Sequence, residues 1–356
     1  MVKLPLFVAL GAGMTLLTCY SVAQANNACY VTLQCANYNI LDAQCIPEFP
    51  PGTFNINAAG PYAATGEVAT ATCAAATNSC TKCGSPIDLA TGNTYVEETD
   101  VNLPGLGGGL TLTRTWNSQN VGDHGMFGNG WRTNFEESLY LDGSDHLVKL
   151  LLGNGTIWSY AFANDWGSEG TTPIFASAAP QNVGEQMAFG GTYNIVTGTM
   201  IGGWSRTSKN GYSKAYGQWV QGDPIFHLFA ITDRNGNATN LSYAPPLLTT
   251  VTDPASRHLF FTYGTVNVGG IGITVVTSLS TDFGISLTYQ YDSLANLVKV
   301  IKPDNSFVTY EYNSTGLLTA VKDSNGKLLE SHTYDAYHRG TTSVRAGGVD
   351  AVTVSY

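Results

Sequence analysis

The chain has 356 residues, enough for two or three domains, and a formal net charge of −10 with only 12% charged residues. Its 40 glycines and 11% aromatic content fit a β-rich protein with many turns. They exclude a disordered chain, which needs low hydrophobicity and high charge. No cluster of Lys and Arg occurs, so a basic face for nucleic acid is excluded as well.

Residues 1–25 read as a secretory leader. Lys3 supplies the positive start, Leu4 to Leu17 the apolar core, and Ala23-Gln24-Ala25 a small-residue cleavage site. Cleavage is expected after Ala25, and the mature protein is expected to be secreted or held in the cell envelope. The apolar run is too short to span a bilayer, which takes about 20 residues. No later segment could span one, so no membrane span is expected once the leader is removed. A lipoprotein reading at Leu16-Leu17-Thr18-Cys19 fits less well, because threonine is a poor residue before the lipidated cysteine.

Residues 26–83 form a cysteine-rich segment holding Cys29, Cys35, Cys45, Cys73, Cys80 and Cys83. An even number confined to one short stretch of an exported chain predicts structural disulfides, with the pairing left open. Cys80-Thr81-Lys82-Cys83 also fits a redox pair or half a zinc site. No second such pair and no histidine lies nearby to complete a metal site, so no metal is expected.

From residue 84 the texture changes. Leu110, Leu112, Arg114 and Trp116 alternate with Thr111, Thr113, Thr115 and Asn117, a strand period of two. Gly107-Gly108-Gly109 before it permits a sharp bend, and Trp131 is expected to plug a core. Arg114 is expected to pair with an acidic neighbour or turn carbonyls; the sharper alternative is an acidic ligand. Leu147 to Tyr160 reads as a hairpin turning at Gly153-Asn154-Gly155. Residues 164–200 are rich in Gly, Ala, Ser and Thr, and are expected to loop out over the sheet. Asp233-Arg234-Asn235-Gly236-Asn237 reads as a turn; a calcium loop would need a different spacing and a distal glutamate.

Residues 226–356 carry an internal repeat. Tyr291-Asp292, Tyr312-Asn313, Tyr334-Asp335 and Tyr356 return every 21 or 22 residues, and Tyr263 and Tyr243 extend the series less regularly. After each tyrosine comes a polar turn, a short apolar strand, a second turn and an alternating strand. Each unit is thus a two-stranded antiparallel hairpin. A lone hairpin is marginal in water, so the units are expected to pair edge to edge in one long sheet. In the turns, Gly316 takes the glycine position of its unit, and Asn296 is expected to take it in the preceding one.

The Tyr-Asp-x-x-Gly units resemble the YD repeats of the Rhs/YD-repeat family, which includes wall-associated proteins and teneurin ectodomains. The repeat-signature positions here are Tyr263, Tyr291, Asp292, Tyr312, Gly316, Tyr334 and Asp335. A second resemblance covers residues 84–131: Gly84-Ser-Pro86-Ile-Asp88, Leu103-Pro104-Gly105-Leu106, Arg114-Thr-Trp116-Asn117 and Gly128-Asn129-Gly130-Trp131 match, in order, the domain that precedes the repeats in many such proteins. The resemblance implies an all-β fold: antiparallel hairpin repeats forming part of a spiral shell sheet, preceded by a small disulfide-rich segment. It divides the mature chain into residues 26–83, a β domain at 84–225, and a truncated repeat array at 226–356.

The resemblance also implies a structural role, a shell or stalk carrying a C-terminal toxin cargo in a longer chain or pairing with a partner repeat chain. The alternative is an adhesin that binds cell-surface glycans, with Trp158, Trp204 and Trp219 as stacking residues; Trp166 is a further candidate. No hydrolase, nucleotide or zinc-protease motif occurs, so no enzyme and no cofactor are expected. The histidines are scattered; His332 lies in phase with Tyr334 on its strand, which leaves the sheet interior or a lumen open to it, and a solvated or hydrogen-bonded histidine is the ordinary expectation.

Overall fold

The computed structural model describes residues 4–8, 17–22, 32–34, 70–73, 82–83, 87–88, 91–142, 147–162, 174–177, 184–194, 199–221 and 223–356. The cleavage site, most of the cysteine-rich segment and Trp166 lie outside the described residues, as do the six cysteine side chains. The described chain is all-β and antiparallel, with no α-helix and only three-residue 3-10 turns among the described residues. The fold class expected from hairpin periodicity is therefore the one observed.

The chain divides into two compact units, one of residues 1–96, 117–121 and 307–356, the other of 97–116 and 122–306. These units cut across the sequence boundary drawn at residue 225.

In the larger unit a meander of antiparallel strands runs from Ser138–Asp142 to Leu297–Ile301, each strand paired with the next. Ser138–Asp142 also pairs with Ile225–Thr232, so the strands between them close on themselves. The span 164–200, expected as a loop, instead carries the strands Ile174–Ser177 and Gln186–Asn194 within that meander. Its small residues hid the period: Gly190 and Gly191 pair across the ladder with Gly203 and Gly202.

Alternation buries one face of each strand. Leu139, Val148, Leu150, Phe175, Met187, Phe189, Trp204, Phe226 and Leu228 form the core of this meander. Trp204 meets Phe175 edge-on with centroids 5.4 Å apart and Phe189 at 5.2 Å. The smaller unit pairs Phe307–Tyr312, Leu318–Asp323, Leu328–Tyr334, Gly340–Arg345 and Val349–Ser355 in sequence order, and Val349–Ser355 takes Thr70–Cys73 on its other side.

Candidate functional site: a tyrosine ladder and its polar exceptions

Five of the repeat tyrosines share one job. Each hydroxyl donates to a main-chain carbonyl on the preceding strand: Tyr243 to Leu228, Tyr263 to Leu248, Tyr291 to Val276 and Tyr334 to Leu318, all at 2.7 Å, and Tyr356 to Gly340 at 3.0 Å. The acceptors are not arbitrary. Each sits beside a β-bulge, where one extra residue interrupts the ladder: Phe229, Thr249, Thr277, Thr319 and Thr341. A bulge disturbs local pairing and frees a backbone group. A buried carbonyl left alone is costly, and the next tyrosine satisfies it. The bulged threonines act in the other direction: Thr249, Thr277 and Thr319 donate to the carbonyls of Ser242, Thr262 and Glu311.

The ladder explains the spacing. Tyr243 pairs in register with Leu248, whose carbonyl accepts from Tyr263; Tyr263 pairs with Val276, whose carbonyl accepts from Tyr291. Tyr334 pairs with Gly340, whose carbonyl accepts from Tyr356. Each of these repeats therefore completes the one before it. The long gap from Tyr263 to Tyr291 is the extended hairpin His258–Val268 and Ile271–Thr281. Tyr263 keeps its hydrogen bond although Gly264 follows it and no turn forms there.

The aspartate after the tyrosine has a separate job. Asp292 Oδ1 accepts from the amides of Leu294 and Asn296, both at 2.9 Å; Asp335 Oδ1 accepts from Tyr337 at 2.9 Å and Arg339 at 3.0 Å. Asn313 does the same with Thr315 and Leu317, at 3.0 and 2.9 Å. The third residue past the aspartate then has a left-handed backbone, as in a type I turn closed by a bulge. Gly316 fills that position with φ 84° and Gly236 with φ 84°. In the Tyr291 unit the occupant is Ala295, φ 58°, and not Asn296. Asn296 lies one residue further on, where its side-chain amide donates to Asp292 Oδ2 at 2.9 Å. The expected position was thus wrong by one residue.

The fourth position past the aspartate is functional as well, though the sequence reading assigns it nothing. Arg257 and Arg339 occupy it and donate Nε–H to Asp253 Oδ2 and Asp335 Oδ2, both at 2.7 Å; Asn237 and Asn296 donate a side-chain amide to Asp233 Oδ2 and Asp292 Oδ2 at 2.8 and 2.9 Å. The signal was legible as Asp-x-x-x-Arg/Asn at 233/237, 253/257, 292/296 and 335/339, directly after a repeat tyrosine in the last two. Asp233 is held by Asn235, Asn237 and the Asn237 side chain, as a turn residue would be.

Two polar clusters lie in the larger unit. Arg114 makes a forked ion pair with Asp100, 2.6 and 2.8 Å, and Tyr289 donates to the same carboxylate at 2.8 Å. The guanidinium lies 4.7 Å from the Trp131 ring centre, and Phe127 meets Tyr289 edge-on at 4.7 Å. Arg114 is 1% exposed, so its partner is the acidic neighbour and no room is left for an acidic ligand.

The second cluster joins Glu137 to Lys214 at 2.5 Å and to the Tyr216 hydroxyl at 2.9 Å, and joins Arg206 to Glu185 at 3.0 Å. Arg206 also lies 5.0 Å from the centre of the Trp158 ring. Burial pushes the Tyr216 hydroxyl well above its ordinary value, and the Glu137 charge adds to that. Neutral at all ordinary pH, it acts as a hydrogen-bond donor.

Of the tryptophans offered for sugar stacking, Trp204 is 2% exposed and belongs to the core, which removes it. Trp158 is half-buried beneath Arg206. Trp219 is half-exposed, stacked on His227 at 3.4 Å and near Tyr243 at 5.8 Å. Burial lowers His227 to about 4, so its ring is uncharged at neutral pH. Among the described residues no three His, Cys, Asp or Glu side chains gather as a metal group, and no helix is long and apolar enough to cross a membrane.

Residues 84–160 match a family described as "Domain of unknown function (DUF6531)". A 50-residue segment, 14% of the chain, is 48% identical to the tRNA nuclease WapA of Bacillus subtilis (strain 168). The same identity and coverage hold for the tRNA3(Ser)-specific nuclease WapA of Bacillus spizizenii. The match spans 2% of the length of each of these relatives. Among solved structures, a crystal structure of TcdB2-TccC3 aligns with 71% of this chain and 17% of its own, at 13% identity and TM-score 0.40. A structure of the Photorhabdus luminescens Tc holotoxin pore aligns with 68% of this chain and 16% of its own, at 12% identity and TM-score 0.37. The domain match and the short WapA segments support a relationship to the Rhs/YD-repeat proteins.

Proposed function

We propose that this chain is scaffold: part of an exported Rhs/YD-repeat protein whose hairpins build a shell or stalk carrying an effector. The effector would lie further along a longer chain or on a partner. The observation that carries this reading is the tyrosine ladder. It spends the repeat-signature residues on main-chain hydrogen bonds and on turns, which lets the sheet grow one hairpin at a time. None of those residues is left for chemistry. The short matches to WapA, named as a nuclease, support an effector-bearing relative and bring no nuclease to these residues. An antibody against residues 84–160, used on the native cells, tests the reading. A secreted or envelope-bound species far above the 37.8 kDa of this chain is expected. A cytoplasmic species of this size would overturn it.

A second reading, surface binding of glycans, rests on the aromatic strip at Trp219, His227 and Tyr243, beside the exposed Ile225 and Val220. Aromatic faces of this kind stack on sugar rings. Glycan-array binding lost in Trp219→Ala would favour it.

A further inference from the structure

The residue two before each repeat tyrosine points into the core and faces a partner on the next strand. Four of these pairs are Leu241 with Val251, Phe261 with Leu279, Tyr289 with Val300 and Tyr310 with Val321. All eight side chains are buried. The unit ending at Tyr334 breaks the pattern. There the pair is His332 with Ser343, equally buried at 2% and 0% exposure. Two residues before His332, on the same face of the strand, stands Glu330. The equivalent positions in the Tyr263 and Tyr291 units are Leu259 and Leu287.

Three polar side chains have thus replaced apolar ones at one spot, and they do not satisfy one another. Both ring nitrogens of His332, Ser343 Oγ and Glu330 Oε1 are buried without a hydrogen-bond partner. His332 Nε2 and Glu330 Oε1 are 3.2 Å apart, yet the contact is not aligned as a hydrogen bond. Polar groups buried this way are costly unless something binds them. Two ligands on a tetrahedral ion with bonds of about 2.0–2.1 Å lie roughly 3.3 Å apart. The observed separation is that bite. The charged group facing Glu330 across the ladder is Arg345, which is exposed; on the other side Glu330 faces Val321.

We propose that His332, Glu330 and Ser343 bind one divalent transition-metal ion, of which zinc is the type. Imidazole nitrogen with one carboxylate suits zinc, copper or nickel, whereas calcium and magnesium take oxygen ligands alone. His332 supplies an imidazole nitrogen, Glu330 a carboxylate oxygen and Ser343 a hydroxyl oxygen, with water completing the shell. The ion would tie two adjacent strands at the repeat whose inward cross-strand pair is polar. This inference is independent of the scaffold reading.

The test uses the full chain, freed of metal by chelator and with its thiols alkylated, so that the cysteines cannot bind. Zinc is titrated by calorimetry, and thermal unfolding is followed with and without it. One zinc per chain and a raised melting temperature are expected. Glu330→Gln should weaken binding by about tenfold or more, and His332→Gln should abolish it, with unchanged circular dichroism. If His332→Gln does not fold, Glu330→Gln carries the test, since its side chain reaches the surface at 13% exposure. No uptake by the wild type, or uptake that Glu330→Gln leaves unchanged, would overturn the proposal.

Discussion

Replacing Tyr263 by phenylalanine removes one oxygen and keeps the ring. In this unit the tyrosine can be judged apart from the turn, because Gly264 follows it and the strand runs on to Val268. The hydroxyl donates to the Leu248 carbonyl at 2.7 Å. Leu248 itself is 3% exposed, beside the bulge at Thr249. A typical hydrogen bond contributes about 1 kcal/mol net, and a buried acceptor left unpaired costs about 1–3 kcal/mol. The ring packing is unchanged, so nothing offsets that cost, and a loss of about 2 kcal/mol is expected. Urea unfolding, read by both fluorescence and circular dichroism, measures it; Tyr212→Phe, at a tyrosine 37% exposed, is the control. If Tyr263→Phe costs under ~0.5 kcal/mol, the range of ordinary surface changes, the tyrosine ladder does not stabilise the sheet.

Other outcomes follow from the same geometry. Ser256 holds φ 61° in an exposed turn position, so Ser256→Gly should stabilise by about 0.5–1 kcal/mol, while Gly316→Ala at φ 84° should destabilise by a similar amount; denaturant midpoints decide both. Asp233 is held below the ordinary carboxylate range by the Asn237 side chain and backbone amides. Asp253 is also held low: burial works against it, but Arg257 prevails. Their folded values lie below the unfolded one, so their stabilisation is present above about pH 4 and is lost as pH falls through the folded values. Asp253→Asn should therefore flatten the acid limb of a stability–pH curve, and an unchanged limb would refute this. Arg114→Met leaves Asp100 buried without its cation and should cost about 3–5 kcal/mol, whereas the double change with Asp100→Leu should recover much of it in a double-mutant cycle.

The sequence by itself determined the local grammar. Period-two alternation, Asx turns and the return of tyrosine every 21 or 22 residues define hairpins, because each depends on residues close in the chain. The same locality left Arg114 between turn carbonyls and an acidic neighbour, and His332 between the interior, a lumen and solvent; the strand pairing chose Asp100 for the one and burial for the other. It failed where side chains are small: across Gly190–Gly191 and Gly202–Gly203 no alternation survives, although the strands pair. It also put the left-handed turn residue at Asn296 and not Ala295, since asparagine tolerates that backbone better than alanine, and here the turn's own hydrogen bonds decided.

Only the tertiary structure decided what the tyrosines are for. Their acceptors lie 15 or 16 residues back, and a bulge shows only in the register between two strands. Burial was settled at the same level: Trp204 and Trp219 look alike in sequence, yet one is core and the other lies on His227. The polar trio at Glu330, His332 and Ser343 depended on both. The sequence contains the residues, but only the pairing of two strands sets serine opposite histidine in a position where the other repeats bury apolar side chains.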